Sequence, residues 1–375
     1  MKKLGIYVHI PFCIRKCKYC DFASFVCEND MQNKYTDYIV KEINKYKNKA
    51  VDYIVNSVFF GGGTPSVLSS LNMHRIITAI RAVFYLTEDA EISLECNPKT
   101  ANFGKLKNFK KLGFNRISIG VQSLDDEILL KIGRAHNSKD FLECYTSAKL
   151  AGFKNINYDL MFALPEQSVK SFKETVDNLV KLNPEHISCY SLILEENTPL
   201  FEEKDFYKFA DDEENRKMYE YAKKVLKDNG YNHYEISNFA KEGYECIHNL
   251  KYWEMKDYIG FGSSASSFFE EKRHTNPDNL EEYFELIENY KYPFDDIEKE
   301  EKKDMMSEFM FLGLRKIKGI NDKDFKELFN ESFFDIYKKE IEKHIKNGLL
   351  IREDENIRLS NKGLDLANYV MSDFV

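Results

Sequence analysis

Short apolar, β-branched or aromatic runs recur along the first half of the chain, at LGIYVHI (4–10), VDYIVNSVFF (51–60), EISLEC (91–96), NRISIGV (115–121), NINYDLMF (155–162) and EHISCYSL (185–192). Between them, segments 31–47, 70–84, 102–112, 138–151 and 168–182 carry apolar residues at helical spacing. Strands alternating with amphipathic helices predict repeated βαβ units, hence an α/β fold with a parallel sheet. Six such units within about 190 residues predict an incomplete TIM-like (β/α)6 barrel, with an open doubly wound sheet as the rival. After Leu192 the pattern loosens: 201–230 reads as a charged helical insertion, followed by the β-like YNHYEISNF and then HNLKYW at 248–253. From about residue 296 it changes again. EKEEKKDMMSEFMFLGLRKI, NDKDFKELF and FFDIYKKEIEKHIKNG read as three helices, LLIREDENIRLS as a hairpin, and NKGLDLANYVM as a last helix. That content predicts a smaller α+β, winged-helix-like domain over 296–375, behind a larger domain over 1–295.

Composition narrows the function classes. The 375 residues suffice for one large domain and a smaller one, and 43% hydrophobic with 31% charged residues fits a soluble globular protein. The net charge of −8 speaks against nucleic acid as the partner, the winged-helix-like module included, and against a broadly anionic membrane. No apolar run approaches the roughly 18–20 residues that cross a bilayer. The N-terminal MKKLGIYVHI is too short in its apolar part for a secretory signal. The expected location is the cytoplasm, a reducing compartment where clustered cysteines read as metal ligands before disulfides.

Three of the eight cysteines, Cys13, Cys17 and Cys20, fall within eight residues in a C-x3-C-x2-C spacing directly after the first predicted strand. Three thiolates are one short of the four that close a structural zinc or iron–sulfur site. The spacing admits a [4Fe–4S] cluster with one open iron, a zinc site completed by a distant histidine, or unligated thiols; Cys27 is a more remote fourth candidate. GGGTPS (61–66) follows the second strand. It serves either close backbone approach to a ligand or a tight βα turn capped by Thr64, and lacks both the Lys of a P-loop and the spacing of a dinucleotide motif. Glu95 ends the third predicted strand and Gln122 the fourth, Arg134 lies in a βα loop, and Asp159 is on the fifth strand. In a β/α barrel these positions share the catalytic face at the strands' C-terminal ends. There a carboxylate suits hydroxyls or ammonium, and Arg134 a ligand carboxylate. HNLKYW holds the single tryptophan; His248 reads as a heme-iron ligand or as a cap beside core residues Tyr252 and Trp253. Cys96, Cys144, Cys189 and Cys246 read as buried small hydrophobes.

Together, YVHIPFCIRKCKYCDF, GGGTPS, LECNP, IGVQS, GRAHN and YDLMFALP, in this order, resemble radical S-adenosylmethionine (SAM) enzymes of the oxygen-independent coproporphyrinogen III oxidase group. The resemblance runs to about residue 270, with a weaker family-like C-terminal module. It implies a radical SAM barrel in which Cys13, Cys17 and Cys20 hold a [4Fe–4S] cluster. The free iron is chelated by SAM, which is cleaved to methionine and a 5′-deoxyadenosyl radical. Tyr7, Gly62, Gly63, Thr64, Glu95, Gln122, Arg134 and Asp159 match the positions that contact SAM, with Phe22 and Ala163 beside them. The true oxidases carry a fourth cysteine two residues after the third, and an N-terminal extension. Here that position is Phe22, and 12 residues precede Cys13. Both departures, with HNLKYW matching an HNxxYW motif, resemble instead the group's heme chaperone branch, HemW. That implies heme as a third cofactor handled at His248 within an extension at about 195–295, an unidentified heme-accepting protein, an unidentified electron donor, and compatibility with a homodimer. The rival is decarboxylation of coproporphyrinogen III to protoporphyrinogen IX. DLMFALP has Phe162–Ala163 where the branch often has an aromatic residue and glycine, so the SAM contacts expected there differ.

Overall fold

The computed structural model describes residues 1–47, 49, 51–289, 294 and 297–375. Six βα units open the fold: β1 (Lys2–Ile10), α1 (Asn29–Asn44), β2 (Tyr53–Gly62), α2 (Ser70–Val83), β3 (Tyr85–Cys96), α3 (Phe103–Lys111), β4 (Arg116–Gln122), α4 (Asp126–Lys131), α5 (Ser138–Ala151), β5 (Asn155–Phe162), α6 (Val169–Lys181) and β6 (His186–Ser191). Each neighbouring pair from β1 to β6 is parallel, and spatial order follows chain order. A doubly wound sheet must reverse direction at a switch point. This one does not, so the incomplete barrel is the architecture present.

Strand alternation separates two environments. Leu4, Ile6 and Val8, Ile92 and Leu94, Ile117 and Ile119, and Ile156 and Leu160 are buried in the apolar cluster that also takes in α1, α2, α3, α5 and α6. The intervening residues put polar groups on the opposite, lumen side. Glu95, Ser118, Asn157 and His186 lie in one register row, and Gly120, Asp159 and Ser188 in the next. Polar side chains inside a barrel need partners there, so these rows form a hydrogen-bonded lumen with its mouth at the strand ends.

Beyond β6 the chain forms α7 (Pro199–Glu202), α8 (Asp212–Asp228), β7 (Asn232–Glu235), β8 (Asn238–Ala240), α9 (Ile247–Trp253), β9 (Tyr258–Phe261), β10 (Ser266–Phe269), β11 (Lys272–Thr275) and α10 (Leu280–Asn289). β8 and β7 extend the sheet past β6. At the other edge β9 joins β1 in parallel and carries β10 and β11, which makes eleven strands. HNLKYW is therefore a helix, α9, lying between the two edge extensions in sequence. Its N-terminal amides at Ile247 and His248 donate to the carboxylate of Glu91 on β3.

The last segment comprises α11 (Lys302–Gly313), β12 (Ile320–Asn321), α12 (Asp322–Phe329), α13 (Phe333–Ile336), α14 (Lys338–Lys346), β13 (Leu350–Glu353), β14 (Asn356–Leu359), α15 (Asn361–Asp365) and α16 (Ala367–Ser372). It has its own apolar cluster, including Met310, Phe325, Phe333, Ile357 and Val370. The expected hairpin is present as β13–β14, with β12 as a third strand beside β14. Two of the expected helices are each broken in two, at Tyr337 and at Leu366. The expected 295/296 boundary lies outside the described residues.

Candidate functional site

The cluster loop leaves β1 at Ile10 and folds over the mouth of the lumen. Cys13 N donates to Phe25 O and Phe25 N to Pro11 O, which closes the loop on itself. Gly63 N and Thr64 N donate to Ile10 O and Phe12 O, so the glycine turn after β2 is laced to the cluster loop. A side chain on Gly63 would place its Cβ 2.9 Å from Phe12 O and 3.0 Å from Cys13 Sγ. One on Gly62, at φ +111°, would enter the His9 ring at 2.7 Å. The glycines are there because the two loops touch.

Cys13, Cys17 and Cys20 share one cavity with Gly62, Gly63, Thr64, Glu95, Gln122, Arg134 and Asp159. The expected group is thus brought together, Phe22 included, and Tyr7 and Ala163 are not among the residues lining this cavity. Tyr7 faces the lumen but lines a neighbouring cavity, its OH 3.2 Å from His9 Nδ1. Ala163 is buried in the core at the end of β5, at φ +59°. That left-handed conformation favours glycine, the residue the resemblance leads one to expect, and alanine adopts it here at a cost in strain. Phe22 is 62% exposed and lines both cavities.

The donor set fits an iron–sulfur cluster. Burial pushes the Cys13 and Cys20 thiols above the usual range. Neutral thiols of that kind lose their protons when a metal takes the sulfur. In a cubane each thiolate takes a different iron, so three cysteines on one loop hold three irons and leave the fourth open. Arg134 donates to Cys17 Sγ at 3.5 Å, to Tyr19 OH at 3.4 Å and to Gly120 O at 2.8 Å. It stands as a positive charge beside the cluster thiols.

The floor of the cavity is acidic and partly unsatisfied. Glu95 Oε2 accepts from Gly62 N at 3.2 Å, and its pKa is pushed up to about 8 by burial and by Asp159. Asp159 is also raised by burial, against hydrogen bonds from Ser118 at 2.9 Å and Asn157 at 2.7 Å. Asn97 Oδ1 and Gln122 Oε1, both on the cavity wall, are buried without a partner. Two orphaned acceptors and two carboxylates suit a ligand rich in donors and carrying positive charge, as SAM is.

Residues not singled out from the sequence extend the site inward. Asn157 Oδ1 meets His186 Nδ1 at 2.6 Å, His186 Nε2 meets Tyr234 OH at 2.8 Å, and Cys246 N donates to Tyr234 OH at 3.2 Å. The chain of bonds runs from the cofactor cavity to the start of α9. Polar residues at every second position of β3–β6 are the signal in the sequence that could have found it.

On α9, His248 is buried at 1% exposure. Its Nδ1 lies 3.1 Å from Ser57 Oγ and its Nε2 2.9 Å from Tyr252 OH, while its ring stacks near Phe59 and Tyr7. Burial lowers its pKa to about 3, so it is neutral. Both nitrogens meet hydroxyls within the protein, and through Nε2 His248 holds the Tyr252 hydroxyl in place. Tyr252 and Trp253 line the second cavity, of about 630 Å³, between the barrel and α11.

Comparison with known proteins agrees with this geometry. The radical SAM superfamily model matches residues 7–179, and the HemN C-terminal domain model matches residues 301–366. A protein of Bacillus subtilis named heme chaperone HemW is 34% identical over 98% of both chains. The chain belongs to the heme chaperone HemW family of radical SAM proteins. The family's Escherichia coli member is 39% identical over 70% of this chain and 69% of its own. Coproporphyrinogen III oxidase (HemN) from Escherichia coli, a radical SAM enzyme, superposes with a TM-score of 0.86 at 22% identity, covering all of this chain and 90% of the other. That match shows the fold: a radical SAM barrel with a C-terminal domain.

Proposed function

We propose that this protein is a heme chaperone that holds a [4Fe–4S] cluster on Cys13, Cys17 and Cys20, binds SAM beside it, binds heme, and passes heme to an acceptor protein. The observation that carries the reading is likeness to proteins named heme chaperones along 98% of the chain, through barrel and C-terminal segment alike. Phe22 supports it: a side chain that walls two cavities at once leaves no thiol where the oxidases carry their fourth cysteine.

In this reading the cluster supplies an open iron and an electron to the SAM site. The protein's own residues do the rest. Glu95 and Asp159 bind the cationic and hydroxyl groups of SAM, Gln122 and Asn97 accept its hydrogen bonds, and Thr64 and Arg134 keep the thiols in place. The heme acceptor and the electron donor complete the partner set, nucleic acid is not in it, and a homodimer is compatible with it. Among the described residues no helix is long and apolar enough to cross a membrane, in keeping with a cytoplasmic site of action. The 295/296 division is part of the same proposal.

An anaerobic assay decides between this function and its rival. Reconstituted protein with SAM, reductant and coproporphyrinogen III should give no decarboxylated product, whereas hemin-loaded protein should transfer heme to a heme-free acceptor. Multiple turnovers to protoporphyrinogen IX would make it an oxidase.

A further inference from the structure

The 630 Å³ cavity between barrel and α11 has apolar and aromatic walls from Phe22, Tyr252, Trp253, Phe268 and Phe311. Such walls suit a flat conjugated macrocycle. Two polar atoms in this lining, Trp253 Nε1 and Ser264 Oγ, are buried without a hydrogen-bond partner. A cavity that is aromatic on its faces and polar-unsatisfied at its edge suits a ligand with an apolar ring system and oxygen-bearing side arms.

An iron at the centre of such a ring needs an axial donor, and the wall offers few. Tyr7 OH is held by His9, Tyr252 OH by His248, and Tyr258 OH accepts from Arg273. His9 has Nδ1 against Tyr7 OH and Nε2 3.3 Å from Ala23 O. Ser266 Oγ meets Thr275 Oγ1 and the Glu308 carboxylate pairs with Arg273, which leaves Ser264 Oγ, a poor ligand for heme iron, and the thioether of Met255, the one sulfur among the residues lining this cavity. Met255 directly follows the C-terminal cap of α9, at φ +49°, with Met255 N donating to Tyr252 O and Lys256 N to Lys251 O. A helix that ends this way ordinarily places glycine or asparagine there. A methionine held in that conformation, at a residue that lines the cavity, has a use beyond ending the helix.

We infer that this cavity is the seat of the heme and that Met255 Sδ is its axial iron ligand. The inference rests on the functional reading above, and its geometry is that of a carrier. A thioether is a soft, weak ligand for heme iron, so one iron–sulfur bond holds the heme and its rupture releases the heme to an acceptor with a stronger donor. Phe22 then stands between the heme and the cluster cavity, and His248 acts as a positioning residue through Tyr252.

The test titrates hemin into the anaerobically reconstituted full-length protein. Iron–sulfur content is measured in parallel, and heme spectra and the heme midpoint potential are read by difference. Met255→Leu keeps the volume and removes the sulfur; it should weaken hemin binding at least tenfold, lower the heme midpoint potential and leave cluster iron unchanged. Met255→His should restore binding with an altered heme spectrum. A Met255→Leu protein with wild-type affinity and spectrum overturns the assignment. So does a Met255→His protein that fails to recover what leucine lost, because the loss is then packing and not ligation. Wild-type protein that takes up no hemin overturns the functional reading, and this inference falls with it.

Discussion

Glu95 faces two opposed demands. Its pKa, pushed from 4.5 to about 8 by burial and by Asp159, leaves it largely protonated near neutrality when the cavity is without SAM. A carboxyl whose folded pKa is raised contributes stability that is complete below the unfolded pKa and is lost as pH climbs through the folded one. Glu95→Gln should therefore stabilise the SAM-free protein at about pH 8, by an amount on the order of a few kcal/mol, and change little near pH 4.5. Denaturant unfolding at the two pH values checks this. Binding the SAM cation calls for the ionised form, so SAM affinity should rise on the order of tenfold between about pH 6.5 and 8.5 and stay flat in Glu95→Gln. A variant as pH-dependent as the parent would remove Glu95 from the site. At Cys17, a serine leaves two thiolates and Arg134 without its sulfur partner. Iron analysis should find the cluster lost, and a stable brown protein at full iron content would sink the ligand assignment. These residues were legible in the sequence because each sits at or just beyond a strand end, where a barrel gathers its chemistry. What the sequence could not say is what each touches: Arg134 reads as a clamp for a ligand carboxylate, yet it donates to Cys17 and Gly120.

The strands and long helices of the barrel were readable from periodicity, and the short elements from α9 to β11 were not. α9 spans seven residues and β9 to β11 four each, too few for a hydrophobic period to declare itself. Yet α9 carries the motif that the proposed function ties to heme. Its position is fixed by Glu91 at its first amides and by His248 between Ser57 and Tyr252. His248→Ala removes the partner of the buried Ser57 hydroxyl and of the half-buried Tyr252 hydroxyl, and leaves a hole beside Phe59 and Tyr7. The expected cost is about 2–4 kcal/mol of stability, from unsatisfied groups and a cavity together. Hemin affinity should fall as Tyr252 loses its prop, while cluster iron stays. If instead heme binding is unchanged and only stability drops, α9 holds the barrel together without shaping the heme seat.

At the scale of the whole molecule, the large apolar cluster and that of the C-terminal segment are joined by backbone hydrogen bonds and ion pairs. Ile236 N donates to Arg315 O and Ile317 N to Tyr234 O, a short backbone ladder between β7 and the chain just after α11. Tyr234 also ends the bonded chain that starts at Asp159, so the cofactor cavity, α9 and the C-terminal segment meet at one residue. The second tie is ionic: Arg273 on β11 pairs with Glu300 and with Glu308 of α11, all three side chains at least two-thirds buried. Removing one partner of a buried ion pair costs more than the pair contributes, because the charges left behind are desolvated. Arg273→Met leaves two carboxylates facing each other across the seam that closes the 630 Å³ cavity, which Arg273, Glu308, Phe311 and Leu312 help to line. The expected result is a loss of about 3 kcal/mol in stability and a hemin affinity reduced together with heme transfer. SAM binding and cluster iron should persist, because the cluster cavity is lined by barrel residues alone. Partial recovery as the pH is lowered would identify charge repulsion as the cause, since protonating Glu300, whose pKa burial raises, relieves it. A variant that loses cluster and heme together would mean that the C-terminal segment supports the whole barrel mouth, and that the two cavities fold as one unit.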